Sequence, residues 1–258
     1  MKPPNSAAPR VSTHGHLLGF DVSGFTREVQ ALGAAGGVHG FEMATDRLGN
    51  AFGAVVRAGC AAGYLLGDVL GDCLILTKAI GSAKDNADSA ASTYAPLFAQ
   101  ESGFAVKAAG CHGAFRTITL PFDLPGGRTV LLGTAVAELH ARLEAAEATA
   151  PVARSPGAAQ RDPALLDRKL GTAVAMRSLA AFCRLGGSVA DFPSDENLVH
   201  AAALLRHFCL QHGGALQKIT HDSKGVVACM TLPVRFGALV DLAAAFEVVH
   251  RRLGAVGI

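Results

Sequence analysis

The pattern of apolar and polar positions predicts alternating strands and helices in the first half of the chain. Residues 16–22 (HLLGFDV) form an apolar run typical of a buried strand, and Gly24 favours a sharp turn after it. Two apolar runs at 64–66 and 73–76, separated by GDVLGD, predict a β-hairpin with acidic residues at its tip. The remaining pattern predicts helices over 26–32, 39–59, 84–101 and 135–148, and strands over 104–115, 117–120 and 129–132. Strands and helices mixed in this order predict an α+β fold, with the helices on one face of a sheet.

The second half of the chain repeats the beginning of this order. Residues 149–171 hold three prolines and scattered charges, which is typical of a linker. The segment GGALQKITHDSKGVVACMTL is arranged like AAGYLLGDVLGDCLILTK, because both have small residues, a strand, a polar turn and a second strand. The pattern predicts a strand over 178–185, a helix over 198–211, a hairpin within 215–232 and a helix over 239–253. The sequence therefore predicts an internal duplication whose second copy stops early.

The composition excludes several classes of protein. The 258 residues carry 23 Lys and Arg against 21 Asp and Glu, which argues against nucleic acid or an anionic membrane as the main partner. The longest apolar run, 225–234, is half of what a bilayer span needs, and residues 1–10 lack the apolar core of a signal peptide. The six cysteines include no C-x-x-C pair and stand in apolar stretches, so we expect them to be buried hydrophobes. We therefore expect a protein without a membrane span, located in the cytoplasm.

Two acidic residues stand at positions suited to a cation site. Asp21 ends the first predicted strand, just before a glycine turn and a helix N-terminus whose amides favour a phosphate. Asp72 follows 51 residues later (72 − 21) at the predicted hairpin tip. If the two strands are neighbours, both carboxylates meet at one end of the sheet, and the Val22 carbonyl can add another oxygen. Such paired carboxylates hold two divalent ions in enzymes of phosphoryl and nucleotidyl transfer.

These segments resemble class III nucleotidyl cyclase domains. The resemblance rests on FDVSGFT, LGDCLIL and FAVKAAGCHGAF, and the later GGALQK…SKG is similar to the tandem-domain, soluble adenylyl cyclase branch of the family. It implies a disordered N-terminus (1–13), a ferredoxin-like metal-binding domain (14–148), a linker (149–177) and a truncated second copy (178–258). It also implies that the two copies pair within the chain, with the active site between them.

The activity implied by the resemblance is that of an adenylate cyclase, a lyase that converts ATP to cyclic AMP and pyrophosphate in intracellular signalling. The metal-binding and catalytic positions of the family match Asp21 and Asp72, with the Val22 carbonyl, and they would hold two Mg²⁺ or Mn²⁺ ions. The family's phosphate-binding turn matches Ser23, Gly24, Phe25 and Thr26. Its lysine that holds the triphosphate matches Lys107, and its lysine that reads the base matches Lys218. A lysine ammonium only donates hydrogen bonds and adenine N1 accepts one, so Lys218 favours ATP over GTP.

Several positions depart from the family pattern. Asp68 stands where the related branch has a lysine and His140 stands near the place of an arginine, so we expect no stimulation by bicarbonate. Arg184 takes the place of a metal aspartate, so the second copy is expected to be a non-catalytic partner. The family's ribose-orienting asparagine and transition-state arginine would follow Ile258, which predicts slow turnover or none. Two alternatives therefore stay open: a degenerate module that binds nucleotide or a partner without turnover, and a repeat that only dimerises.

Overall fold

The computed structural model describes most of the chain in five ranges. They are residues 12–79, 86–151, 178–185, 194–222 and 225–233, together with helical positions at 247, 248, 251 and 254. Residues 1–11 and 152–177, and most of 239–253, lie outside the described residues. The predicted disordered N-terminus, linker and final helix fall largely on them.

The described residues form nine strands and five helices with defined bounds, in two successive groups. The first group consists of β1 (Ser12–Val22), α1 (Phe25–Gly36), α2 (Val38–Ala61), β2 (Leu65–Leu70), β3 (Cys73–Ala79), α3 (Ala87–Ser102), β4 (Val106–Thr119), β5 (Thr129–Leu132), α4 (Thr134–Ala145) and β6 (Ala148–Thr149). The second group consists of β7 (Ser178–Leu185), α5 (Asp195–Gln211), β8 (Ala215–Asp222) and β9 (Gly225–Pro233). Among the described helices, none combines the length and apolar character that crossing a membrane requires.

The first group builds an antiparallel sheet of order β2-β3-β1-β4-β5, and β6 pairs with one end of β4. The connection β1-helix-β2-β3-helix-β4 with this order is the ferredoxin-like arrangement, as the sequence predicts. Alternate residues of β1 face opposite sides of the sheet. Leu18 and Phe20 pack in the core under α2 and α3, whereas Leu17 packs in the core under α4. The sequence-based expectation of helices on one face is therefore wrong, because α4 covers the second face.

Two further details differ from the sequence prediction. β4 is one continuous strand through residue 116, where the pattern predicts a break. Asp68 lies inside β2 and not at the hairpin tip, because the β2–β3 register shifts between Leu66 and Asp68 and lengthens the strand. Only Gly71 and Asp72 form the tip, and Gly71 adopts the left-handed conformation (φ 60°) that the tight turn needs.

The second group forms a three-stranded antiparallel sheet of order β7-β9-β8. This order matches β1-β3-β2 of the first sheet, and in the described part of this segment one helix precedes the hairpin where the first group has two. The turn before each hairpin is also the same: Tyr64 N donates to Gly59 O (2.9 Å), and Gly214 N donates to Cys209 O (2.7 Å). Both hairpins then carry a register shift two residues further on, before Asp68 and before Lys218. Asp68 and Lys218 therefore occupy equivalent positions, 150 residues apart.

The two groups meet across a shared apolar core. The end of β4, β5 and the loop between them contribute Ile118, Leu120, Leu124, Val130 and Leu132, which pack with residues of α5, β8 and β9. In the same loop Gly126 N donates to Gln217 O (2.8 Å), and a Cβ at this position would lie 2.9 Å from that oxygen. Arg116 Nε lies 3.2 Å from a carboxylate oxygen of Asp195 at the start of α5. The second group thus rests on the late part of the first.

Candidate active site

Asp21 and Asp72 meet at one end of the first sheet, where β1 ends and the β2–β3 turn begins. Asp21 pairs with Cys73 of β3 on one side and with Lys107 of β4 on the other. Asp72 precedes Cys73 directly in the chain. The strand order therefore brings together the two carboxylates and the lysine that the sequence analysis singles out. Both carboxylates are partly buried.

The acid pair carries negative charge that the protein neutralises only in part. The pKa of Asp21 is raised to about 6, first by burial and then by the nearby Asp72, while Lys107 opposes this rise. Burial also raises the pKa of Asp72. Two partly desolvated carboxylates repel each other, so a cation placed between them would be stabilised. Their oxygens are the ligands that Mg²⁺ and Mn²⁺ prefer.

The donor set fits divalent cations through this chemistry. Asp21 and Asp72 supply the charged oxygens, and Val22 is the last residue of β1, so its backbone lies beside Asp21. Among the described residues, no group of three His, Cys, Asp or Glu side chains is arranged to hold a metal ion. Two carboxylates and a carbonyl leave other positions of a six-ligand ion to water and substrate phosphates, which is the usual setting for Mg²⁺.

Lys107 lies beside the acid pair and is held by the end of α4. Its Nζ donates a hydrogen bond to the Glu144 carbonyl oxygen at 2.9 Å. The contact orients the ammonium and uses one of its three protons. The other protons can be donated to an anion. The backbone oxygen of Glu144 is a site contact that the sequence pattern does not reveal, since it depends on where α4 crosses the sheet.

The turn at Ser23–Thr26 leads from β1 directly into α1. Gly24 is the N-cap of the helix and has a left-handed conformation (φ 72°), which glycine adopts without strain. Ser23 N donates to Ala105 O at 2.8 Å, so this amide is already used within the protein. Phe25 packs edge-on against Phe104, with 6.0 Å between ring centroids. The first amides of α1, at Phe25 and Thr26, are left as the candidates for a phosphate contact.

Lys218 comes close to this region from the second group of elements. Its ammonium donates hydrogen bonds to Asp68 Oδ1 and to the Val69 carbonyl oxygen, and the side chain is nearly buried. The buried thiol of Cys73 lies among these charges, since Cys73 pairs with Asp21 and directly follows Asp72. Its pKa is raised well above the ordinary value by burial, then by Asp21, Asp72 and Asp68, and Lys218 opposes the rise.

Next to Lys218, a group of polar side chains fills the contact between β8 and the first group of elements. Thr220 Oγ1 donates to Asp68 Oδ2 at 3.3 Å. His140 of α4 and His221 of β8 are close enough to interact, and burial lowers the pKa of both, that of His221 to about 4. Asp68 and His140, which the resemblance to the family assigns to one pocket, thus both lie at this contact. The sequence pattern does not mark Thr220 or His221 as members of this group.

Arg184 occupies the position in β7 that Asp21 occupies in β1. Asp21 stands two residues after Gly19, which pairs with Ile75, and Ile75 also pairs with Asp68. Arg184 stands two residues after Phe182, which pairs with Cys229, and Cys229 also pairs with Lys218. Because Asp68 and Lys218 are equivalent, this register makes Asp21 and Arg184 equivalent too. An arginine cannot act as a cation ligand, so the acid pair exists once in the described residues.

A scan against protein-family models finds no match for this chain, and a search of curated proteins also finds none. A search of solved structures does find similar chains. One is the adenylyl cyclase CyaB from P. aeruginosa, with 16% identity and a TM-score of 0.40, over 55% of this chain and 76% of that chain. Another is the guanylyl cyclase Cya2, with 15% identity and a TM-score of 0.40, over 55% of this chain and 74% of that chain.

A third similar structure is a class III adenylyl cyclase-like ATP-binding protein from Pseudomonas aeruginosa. It has 16% identity and a TM-score of 0.42, over 55% of this chain and 34% of that chain. These structural neighbours are class III adenylyl and guanylyl cyclase domains and related proteins. What this chain has in common with them is an α+β fold with an antiparallel sheet.

Proposed function

We propose that this chain is a nucleotidyl cyclase-like protein that binds ATP with divalent cations at Asp21 and Asp72 and converts it to cyclic AMP and pyrophosphate. The observation that carries the proposal is the convergence of these two carboxylates with Lys107 at one end of the sheet. A tandem organisation, with a second cyclase-homology copy that begins at residue 178, is part of the proposal and is supported by the equivalent hairpins and by the strand order β7-β9-β8.

The residues of the chain would divide the work as follows. Asp21, Asp72 and the Val22 carbonyl would hold two Mg²⁺ or Mn²⁺ ions. Bound there, the ions would lower the pKa of the ribose 3′-hydroxyl and offset the charge of the phosphates. Lys107, oriented by Glu144 O, would donate its remaining N–H groups to the triphosphate. The amides of Phe25 and Thr26 at the start of α1, with the Gly24 turn, would contact a phosphate oxygen.

Lys218 is proposed to contribute to base selection with the one N–H that its two protein contacts leave over. That N–H can be donated to adenine N1, whereas guanine N1 carries a hydrogen and offers no acceptor. ATP is therefore the proposed substrate, ahead of GTP. Because Asp68 and Val69 already hold the ammonium, its discrimination between the two bases is expected to be modest.

A second candidate is a module that binds nucleotide without turning it over. The position of Lys218 favours it, because an ammonium engaged by Asp68 has little freedom to adjust to a base. Both candidates require the acid pair, and they differ only in the formation of cyclic nucleotide. Binding and turnover must therefore be measured on the same preparation.

The experiment that tests the site is ATP binding with and without Mn²⁺, measured by calorimetry on the full chain. We expect Mn²⁺-dependent binding of ATP, and we expect Asp21→Asn and Asp72→Asn each to abolish it, because each removes a charged oxygen ligand. The fold should remain intact, because both residues lie at the end of the sheet and not in the core. The matched control is Asp123→Asn, which changes an exposed carboxylate in the β4–β5 loop. An affinity for Mn-ATP that stays within a factor of two in either site variant would show the assignment to be wrong.

A further inference from the structure

The two hairpins carry opposite charges at equivalent positions, and these positions touch. Asp68 and Lys218 each follow the register shift of their hairpin. They are 150 residues apart in the chain, yet the Lys218 ammonium donates to the Asp68 carboxylate. A contact between equivalent residues is what a two-fold relation between two hairpins produces. The residue at this position therefore faces its own counterpart in whichever hairpin is the partner.

The contact is enclosed and well connected. The side chains of Lys218 and Asp68 keep only 10% and 6% of their exposure. Asp68 Oδ1 also accepts from Val69 N at 2.9 Å, and Asp68 Oδ2 accepts from Thr220 Oγ1 at 3.3 Å. Lys218 also donates to Val69 O. Both charges thus have partners within the protein, and neither is exposed enough to be solvated by bulk water.

A buried ion pair between two hairpins determines which hairpins can pair with each other. A buried pair adds little stability compared with apolar residues of similar size, but a buried charge that loses its partner is strongly destabilising. If two first hairpins met in this way, Asp68 would face Asp68. If two second hairpins met, Lys218 would face Lys218. Only the pairing of a first with a second hairpin leaves no buried charge uncompensated, which is discrimination by repulsion of the wrong partner.

We propose that Asp68 and Lys218 form a pairing determinant, which restricts the hairpin of β2 and β3 to a partner hairpin with a cation at the equivalent position. That partner is the hairpin of β8 and β9, in the same chain or in a second copy of it. The determinant prevents association of two chains through their first hairpins. It goes beyond the proposed function, since it requires neither nucleotide nor metal.

The test uses charge reversal in the full chain, with thermal unfolding and native mass spectrometry as readouts. Asp68→Lys and Lys218→Asp each place like charges together, so each should lower Tm by roughly 6 to 20 °C. The double variant Asp68→Lys/Lys218→Asp restores opposite charges and should recover most of that loss. An exchange of the exposed pair Arg27 and Glu28 (R27E/E28R) is the control and should leave Tm nearly unchanged.

Mixing the two single variants gives a sharper result. One then has acids at both positions and the other has lysines at both, so matched contacts form only between different chains. One variant is labelled with ¹⁵N, and an equimolar mixture of the two is refolded together. The mixture should give a 1:1 heterodimer, whereas neither variant alone should form a dimer. Should the single variants fail to fold by themselves, the double variant and the co-refolded mixture still report on the pairing.

Two results would overturn the proposal. One is a double variant no more stable than the worse single variant, because the charges then do not act on each other. The other is a mixture in which each variant associates with itself as readily as with the other. An apolar pair, Asp68→Leu/Lys218→Met, is expected to keep Tm within a few degrees of the parent, whereas Lys218→Met alone should lower it clearly. None of these readouts involves ATP, so they succeed or fail independently of the proposed function.

Discussion

Replacing Asp21 by asparagine should stabilise the metal-free protein while it destroys the proposed site. The pKa of this carboxyl rises from 3.8 to about 6, so its charged form is disfavoured by about two pH units. Each unit corresponds to about 1.4 kcal/mol, which gives about 3 kcal/mol as the largest possible gain. Partial exposure of Asp21 to solvent reduces the gain. We therefore expect roughly 1 to 2 kcal/mol of additional stability, and a Tm about 2 to 8 °C higher.

The gain must depend on pH in a defined direction. Between pH 3.8 and about 6, the folded protein binds more protons at Asp21 than the unfolded chain does. Asp21 therefore lowers the free energy of unfolding as the pH rises through this window, and the full penalty is present above it. Asparagine carries no such charge. The difference between Asp21→Asn and the parent should be largest at pH 7 to 8 and should vanish near pH 4.

Thermal unfolding in EDTA, measured from pH 4 to pH 8, provides the assay. Asp123→Asn is the matched control, because it removes an exposed carboxylate, and its Tm should follow that of the parent at every pH. In separate samples without EDTA, Mn²⁺ should raise the Tm of the parent and leave that of Asp21→Asn unchanged. A variant that is less stable than the parent at pH 8 would refute the reasoning, because Asp21 would then be stabilising and not held at a cost.

Two further changes test other parts of the account. Lys107→Met should weaken Mn-ATP binding by roughly 10- to 100-fold without unfolding the protein, as expected for a lost charge-assisted contact; Lys78→Met on β3 serves as the control, and equal affinities would exclude Lys107 from the site. His221→Leu should flatten the pH dependence of stability between pH 4 and 6.5. The pKa of His221 is lowered to about 4, by burial, by His140 of α4 and, less, by Arg116 of β4, while Asp222 opposes. The unfolded chain therefore takes up the proton first and stability is lost as the pH falls below 6.5; an unchanged profile in the variant would place the titrating group elsewhere.

The parts of the fold that follow from local patterns were predicted well. The strand over 178–185 and the strand over 129–132 have the predicted bounds, because each is a short apolar run. The approach of Asp21 to Asp72 was also predicted, since it needs only that two particular strands be neighbours. That inference held because β1 and β3 pair directly.

The features that depend on distant contacts were not predicted. The pattern of α4 shows that one of its faces is apolar, but not which side of the sheet that face covers. The helix packs closely on the second face at Gly19, where a Cβ would lie 2.7 Å from a side-chain carbon of Leu143. A half-buried polar residue, Arg116, interrupts the apolar pattern of β4 without ending the strand, because Asp195 of the other group compensates its charge.

The contact between Asp68 and Lys218 was missed although a signal for it exists in the sequence. Considered one at a time against the family pattern, Asp68 and Lys218 fall in different pockets. Aligning the two hairpins at a constant separation of 150 residues places an acid opposite a base at the same position. Opposite charges at equivalent positions of a repeat are an indication of direct contact when the repeats pair about a two-fold axis. The contact was missed because the two residues are far apart in the sequence, although their opposite charges are compatible with a direct contact.

The central claim is tested most directly by measuring cyclic AMP formed from ATP by the purified full chain with Mn²⁺, next to Asp21→Asn and Asp72→Asn. The account predicts Mn²⁺-dependent formation of cyclic AMP by the parent, and none above background by either variant. GTP in the same assay should give less cyclic nucleotide than ATP. The absence of cyclic nucleotide from a parent protein that binds Mn-ATP, or equal rates in the parent and in both variants, would contradict it.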